Sequence, residues 1–232
     1  MKKIFHTILL VFLISVFTGC KPSYHCGYLG TSPSQILNSP HSGVTNYIGG
    51  SVNAGGTSND NENNMSVKLN LQRNYTYKYG SFSFHAEAFS GFHSVEAVEE
   101  YAGKSYDYYG FMPQLTTSLY IPVKKARIGI YGYTGTFWEY GHYDDWMKIA
   151  EADSLIYREG DEVNGKELIG GAGFIFDGFN EESIFSLKIG FGLPGGFHGM
   201  SSYRKGNNVL TFSLCLPVEP NLSIALGYMR LF

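Results

Sequence analysis

Charge is scarce in this chain: 16% of its 232 residues are Asp, Glu, Lys or Arg, against about 25% in an ordinary soluble domain. The formal charge is −3, so no basic excess points to nucleic acid. Cysteine is rare too, with three residues, and proline numbers only eight. An exported protein permits a disulfide between Cys26 and Cys215. Cys26 lies in a leader and Cys215 inside a strand pattern, however, and both are read as unpaired small hydrophobes. Long apolar runs are missing apart from residues 4–17, shorter than the roughly 20 residues of a spanning helix. A helical membrane protein is therefore excluded. Aromatics and glycine are what the chain has in abundance: 18 Tyr, 17 Phe, 2 Trp and 29 Gly. With 44% apolar residues it can bury enough surface to fold, which excludes disorder.

Met1-Lys2-Lys3 followed by an apolar stretch from Ile4 to Phe17 has the order and length of a secretory signal. Phe17-Thr18-Gly19-Cys20 comes directly after it. A cysteine behind small residues there resembles a bacterial lipobox, with Phe17 where Leu, Val or Ile is usual. The resemblance implies removal of residues 1–19 and acylation of Cys20, palmitate included. Acyl chains would hold the mature start at a membrane. Residues 20–45 are rich in Ser, Pro, Gly and Asn without a sustained period, which is the composition of a flexible tether.

From about Asn46 the pattern alternates with period two to the last residue, the signature of half-buried strands. In 65–72 every odd position is apolar and every even one polar. Segments 81–88, 183–193, 209–216 and 222–232 repeat the pattern, and less regular strands cover 46–56, 109–121, 126–140 and 166–177. That makes nine candidates. Short connections fall near 74–79, 122–125, 177–182 and 217–220, long ones over 57–63, 91–108, 141–165 and 194–207. Within one long loop, residues 143–158 have helical composition. The expected fold is all-β, an up-and-down antiparallel barrel over 46–232 with one short helix in a long loop. Barrels of this kind normally close with an even number of strands, which favours eight, by discarding 46–56. The alternative is ten, with residues 24–29 supplying the extra strand.

Period two fits a soluble lipocalin-like barrel, apolar inside, and equally a transmembrane one, apolar outside. Composition of the polar face decides for the transmembrane form. It is mostly Ser, Thr, Asn, Gln and Gly, with Lys68, Glu87 and Lys188 as scattered charges. Such residues suit a crowded lumen better than a solvated surface. Tyr75, Tyr77 and Tyr79, then Tyr106, Tyr108, Tyr109 and Phe111, then Phe137, Trp138 and Tyr140 cluster at strand ends, where membrane barrels carry aromatic girdles. The final strand, with Gly227, Tyr228 and terminal Phe232, resembles the C-terminal signal of outer-membrane barrels, departing from it at Arg230. Together these features resemble a small outer-membrane barrel with a lipoprotein signal, of the Bacteroidetes-type barrel lipoproteins. That resemblance implies outer-membrane lipid, barrel-assembly machinery and lipoprotein-sorting machinery as partners. It also implies a monomer with no cofactor and no metal.

No Ser elbow, H-E-x-x-H, Walker loop or Cys-x-x-Cys is present. His85, Glu87 and Ser83 share the polar face of one strand, a spacing that a lumenal general-base set for lipid hydrolysis or acyl transfer would use. The plainer reading pairs Glu87 with Lys68 or Lys188 in a buried network. His142, Asp144 and Asp145 have metal-ligand chemistry but read as a solvated loop. The expected function is a non-enzymatic, structural or surface-interaction role in the envelope. A lumenal lipid-modifying enzyme and a soluble barrel for a small apolar ligand are the alternatives.

Overall fold

A computed structural model describes residues 41–57, 63–95, 102–152, 165–180, 182–193, 196–216 and 221–232. The expected signal peptide, Cys20, Cys26 and nearly all of the expected tether lie outside the described residues. Ten strands are present among the described residues: β1 (Gly43–Thr57), β2 (Asn63–Tyr77), β3 (Gly80–Val95), β4 (Lys104–Val123), β5 (Ala126–Tyr140), β6 (Gly165–Phe179), β7 (Ser183–Leu193), β8 (Gly196–Lys205), β9 (Asn208–Leu216) and β10 (Asn221–Leu231). A single helix among the described residues, α1 (Tyr143–Ala152), lies between β5 and β6. Each strand pairs antiparallel with its sequence neighbours, and β10 pairs with β1 to close the barrel. No sheet edge is left open.

The strand count is therefore ten, not eight. The expected tenth strand at 24–29 lies outside the described residues, and 46–56 is a genuine strand, extended to Gly43. What the periodicity hides is β8, placed in the sequence within a long loop. Its outward positions after Phe197 are Gly199 and Ser201, while Met200 points inward. Hydrophobic contrast between the two faces is thereby erased, although the pleat is regular. With β8 in place, turns at 78–79, 124–125, 180–182 and 206–207 share one end of the barrel. Both chain termini of the barrel lie at this turn end. The end of β3, the start of β4, α1, the end of β9 and the start of β10 belong to the opposite, loop end.

The pleat settles which side is apolar. Leu69 and Phe174 are each 71% or more exposed, and Leu71, Phe84, Ile130, Phe191, Leu210 and Leu226 also face outward. Lys68, Asn70, Gln72, Ser83, His85, Glu87, Ser186 and Lys188 are buried within the barrel. An apolar exterior around a polar interior is the reverse of a soluble lipocalin-like barrel and the pattern of a membrane-spanning one. Strands of 9 to 20 residues meet the 9–11 or so that a tilted strand needs to cross a bilayer. The aromatic girdle reading holds in part. Tyr77, Tyr79, Tyr109, Phe111 and Tyr140 face outward, but Tyr108 and Phe137 are fully buried. These two point inward because β4 and β5 place their even and odd positions, respectively, on the lumenal face.

Candidate functional site

The lumen is filled at three levels. At the loop end, Phe89, Val95, Tyr108, Met112, Phe137 and Ile169 form an apolar cluster with Tyr143 and Trp146 of α1. Phe89 and Phe137 stack at 5.1 Å although β4 separates their strands. The helix docks because Tyr143 and Trp146, three residues apart, fall on one helical face, while Asp145 and Lys148 remain exposed. At the turn end, Tyr47, Val209 and Met229 make a second cluster. There Arg204 Nη1 donates to the Tyr47 hydroxyl at 3.1 Å, and Arg127 lies over the Tyr120 and Phe179 rings at 4.6 and 4.8 Å.

Between these plugs lies the polar belt that carries the sequence candidates. Lys68 Nζ is 3.3 Å from Glu87 Oε1, with the two side chains 2% and 7% exposed. Their backbones are offset by two residues, Lys68 opposite Phe89 and Asn70 opposite Glu87, so the long lysine reaches along the lumen to its partner. Lys188 stands apart from this pair. Its nitrogen sits 6.0 Å from the Tyr131 ring centroid and makes no hydrogen bond among the described residues. Asp177 of β6, two residues along from the Ile175 that faces Lys188 in the ladder, accepts a 2.7 Å hydrogen bond from Ser186. His85 Nε2 lies 3.1 Å from Asn70 Oδ1. Ser83 Oγ accepts from Gln72 Nε2 at 3.1 Å, and Gln72 also donates to Asn74. The three residues with general-base chemistry thus share a face without forming a nucleophile–base pair. The hydroxyl is engaged by an amide, and all three are at most 5% exposed.

One cross-lumen contact has no signal in the sequence. The Tyr131 hydroxyl of β5 lies 2.6 Å from His198 Nε2 of β8, and Tyr133 meets the same imidazole edge-on at 5.8 Å. Gly190 and Gly192 on the intervening β7 make room for it. A Cβ on Gly190 would stand 2.5 Å from the Tyr131 hydroxyl and 2.9 Å from His198 Nε2, and one on Gly192 would strike the Tyr133 hydroxyl. Gly190→Ala should therefore prise the pair apart and cost about 1–3 kcal/mol, the usual range for overpacking. Urea unfolding in lipid vesicles measures it, and wild-type stability would contradict this role for the glycine.

Outside the lumen, His142 ends up on Asp107. Its Nδ1 lies 2.6 Å from Asp107 Oδ1 across the loop end, and its carbonyl accepts from the Asp145 and Trp146 amides at the start of α1. Asp145 is exposed, and the side chain of Asp144 lies outside the described residues. Among the described residues no cluster of metal-ligating side chains occurs. The hydrogen bond to Asp107 raises the His142 pKa above its ordinary value. Any stabilisation from the pair is complete below the ordinary histidine value and fades as pH rises through the raised one. Imidazole NMR should find His142 titrating high, and Asp107→Asn should return it to normal. With both side chains more than half exposed, the pair fastens α1 without adding much stability.

No protein-family model matches the chain, and no curated protein matches it either. Solved structures do. The translocator domain of the autotransporter NalP from Neisseria meningitidis is 12% identical with a TM-score of 0.43, over 82% of this chain and 89% of that one. The beta domain of the Bordetella autotransporter BrkA is 10% identical with a TM-score of 0.45, over 82% and 99%. An outer membrane channel from Pseudomonas putida F1 is 10% identical with a TM-score of 0.43, over 87% and 100%. Likeness at this level is one of barrel architecture alone.

Proposed function

We propose that this chain is a lipid-anchored outer-membrane barrel that works as a closed scaffold, displaying its loop end rather than conducting solutes or doing chemistry. Filling of the lumen is the observation that carries the reading. The Phe89–Phe137 stack and the Tyr131–His198 contact join strands that are not neighbours in the sheet. The buried Lys68–Glu87 pair lies in the same lumen, and Tyr143 and Trp146 of α1 pack into the loop-end cluster. Short turns of such barrels face the periplasm and longer loops the exterior. β1 starts at the turn end, so a chain tethered through Cys20 would enter the barrel from the leaflet that holds its acyl chains. Lipoprotein-sorting and barrel-assembly machineries are the partners this arrangement calls for.

Planar-bilayer recording tests the scaffold. Purified protein should add no conductance steps above the bare bilayer, and regular open-channel steps from the wild type would overturn the reading. The anchor is tested separately. Cys20→Ser should abolish labelling by a palmitate analogue and leave a heavier precursor, whereas undiminished labelling would remove the lipoprotein part alone.

A further inference from the structure

Charge is distributed unevenly around the barrel wall. β8, β9, β10, β1 and β2 are consecutive around the closed sheet, and none of the five contains a single Asp or Glu. Three exposed cations nevertheless stand on this wall: Lys205 near the end of β8, Arg230 near the end of β10 and Arg73 on β2. All three belong to the turn end. The ladder fixes their spacing. Lys205 and Arg230 both pair with Asn208 of β9, so they flank one strand directly across from each other. Arg230 pairs in turn with Ile48 of β1, whose near neighbour Asn46 pairs with Arg73. With strands about 4.8 Å apart, the two arginines bracket β1 at a separation their side chains can close.

Among the described residues no carboxylate pairs with any of these cations. Arg73 instead lies 5.4 Å from the Tyr75 ring centroid. The Tyr228 hydroxyl donates to Asn208 Oδ1 at 2.6 Å, which fixes a phenol beside Arg230. Tyr203, Tyr228 and Phe232 are exposed on the same wall, at the depth where aromatic rings mark the bilayer interface. Above the cations the wall is apolar, with Leu69, Leu71, Val52, Leu226 and Leu210 facing outward. Unpaired guanidinium groups at the lower rim of an apolar wall lie where lipid phosphates lie.

We propose that this wall binds the headgroup of an anionic phospholipid, with Arg73 and Arg230 clasping its phosphate across β1 and Lys205 adding charge beside them. Guanidinium forks match phosphate oxygens in bidentate geometry, and cations near a bilayer surface recruit anionic lipid. The acyl chains of the bound lipid run along the apolar faces of β10, β1 and β2. Structural Asn46 and Asn208 line the gaps between the cations without competing charge.

Spin-labelled lipids in reconstituted vesicles test this. In phosphatidylcholine vesicles the wild type should hold spin-labelled phosphatidylglycerol severalfold more strongly than spin-labelled phosphatidylcholine, and high salt should weaken the preference. The triple variant R73Q/K205Q/R230Q should show no preference while still giving the gel mobility of a folded barrel. R73K/R230K, which keeps the charge, should retain part of the preference. K124Q/K125Q, in the turn between β4 and β5, should keep all of it. A preference that survives in the triple variant would overturn the proposal. So would an equal loss in K124Q/K125Q, which would mean diffuse rim charge, or displacement of the labelled lipid by low-millimolar inorganic phosphate, which would make the site one for soluble anions.

Discussion

Replacing Glu87 by alanine should destabilise the barrel by about 3–5 kcal/mol, the cost of stranding a buried charge whose partner has been removed. The charge stranded is the Lys68 ammonium, 2% exposed and 3.3 Å from the carboxylate it would lose. With the two side chains only 2% and 7% exposed, solvent is poorly placed to take the carboxylate's role. Glu87→Gln should cost less, because it keeps the volume and one acceptor oxygen. Were Glu87 a catalytic carboxylate, both substitutions would abolish an activity and leave unfolding nearly unchanged. Reversible urea unfolding in lipid vesicles separates the two. Unaltered stability in Glu87→Ala would dissolve the lumenal pair and reopen the lumenal enzyme.

The second large effect lies on the other face of the same strand. Leu69 is 72% exposed near the middle of β2, so on a soluble protein Leu69→Arg would be neutral or mildly favourable. Against hydrocarbon it should cost about 2–4 kcal/mol, the price of a cation near the bilayer midplane. At the strand end, Tyr77→Arg should cost no more than about 1 kcal/mol, because depth governs the penalty. The same unfolding assay reads both. A flat response along the strand would mean that no apolar slab surrounds the barrel.

Much of the fold was legible because membrane barrels write it in period two. β2, β3 and β7 could be read from alternation alone, and the same alternation placed Lys68, Glu87, His85 and Ser83 on one face. The limits of that signal are equally physical. It reports contrast between two faces, so β8 vanished where Gly199, Ser201 and Met200 removed the contrast. The true strand count vanished with it. Tyr108 and Phe137 have the composition of girdle aromatics but line the lumen, because composition near a strand end does not say which way the pleat points. Partners across the lumen depend on closure and register, which the sequence does not state. Nothing near Tyr131 announces His198, sixty-seven residues on, and nothing near Asp107 announces His142. Along one strand, or between two joined by a tight turn, the sequence was informative. Across the barrel it was silent.

The inside-out arrangement is the claim on which the rest depends, and refolding tests it most directly. Chain lacking its first twenty residues, unfolded in urea and diluted, should recover its β-structure and a heat-modifiable gel mobility only when detergent micelles or lipid vesicles are present. In detergent-free buffer it should aggregate, because an exterior carrying Leu69, Phe174, Leu210 and Leu226 has no solvent but hydrocarbon. Full recovery of a stable, monomeric barrel in plain buffer would contradict it.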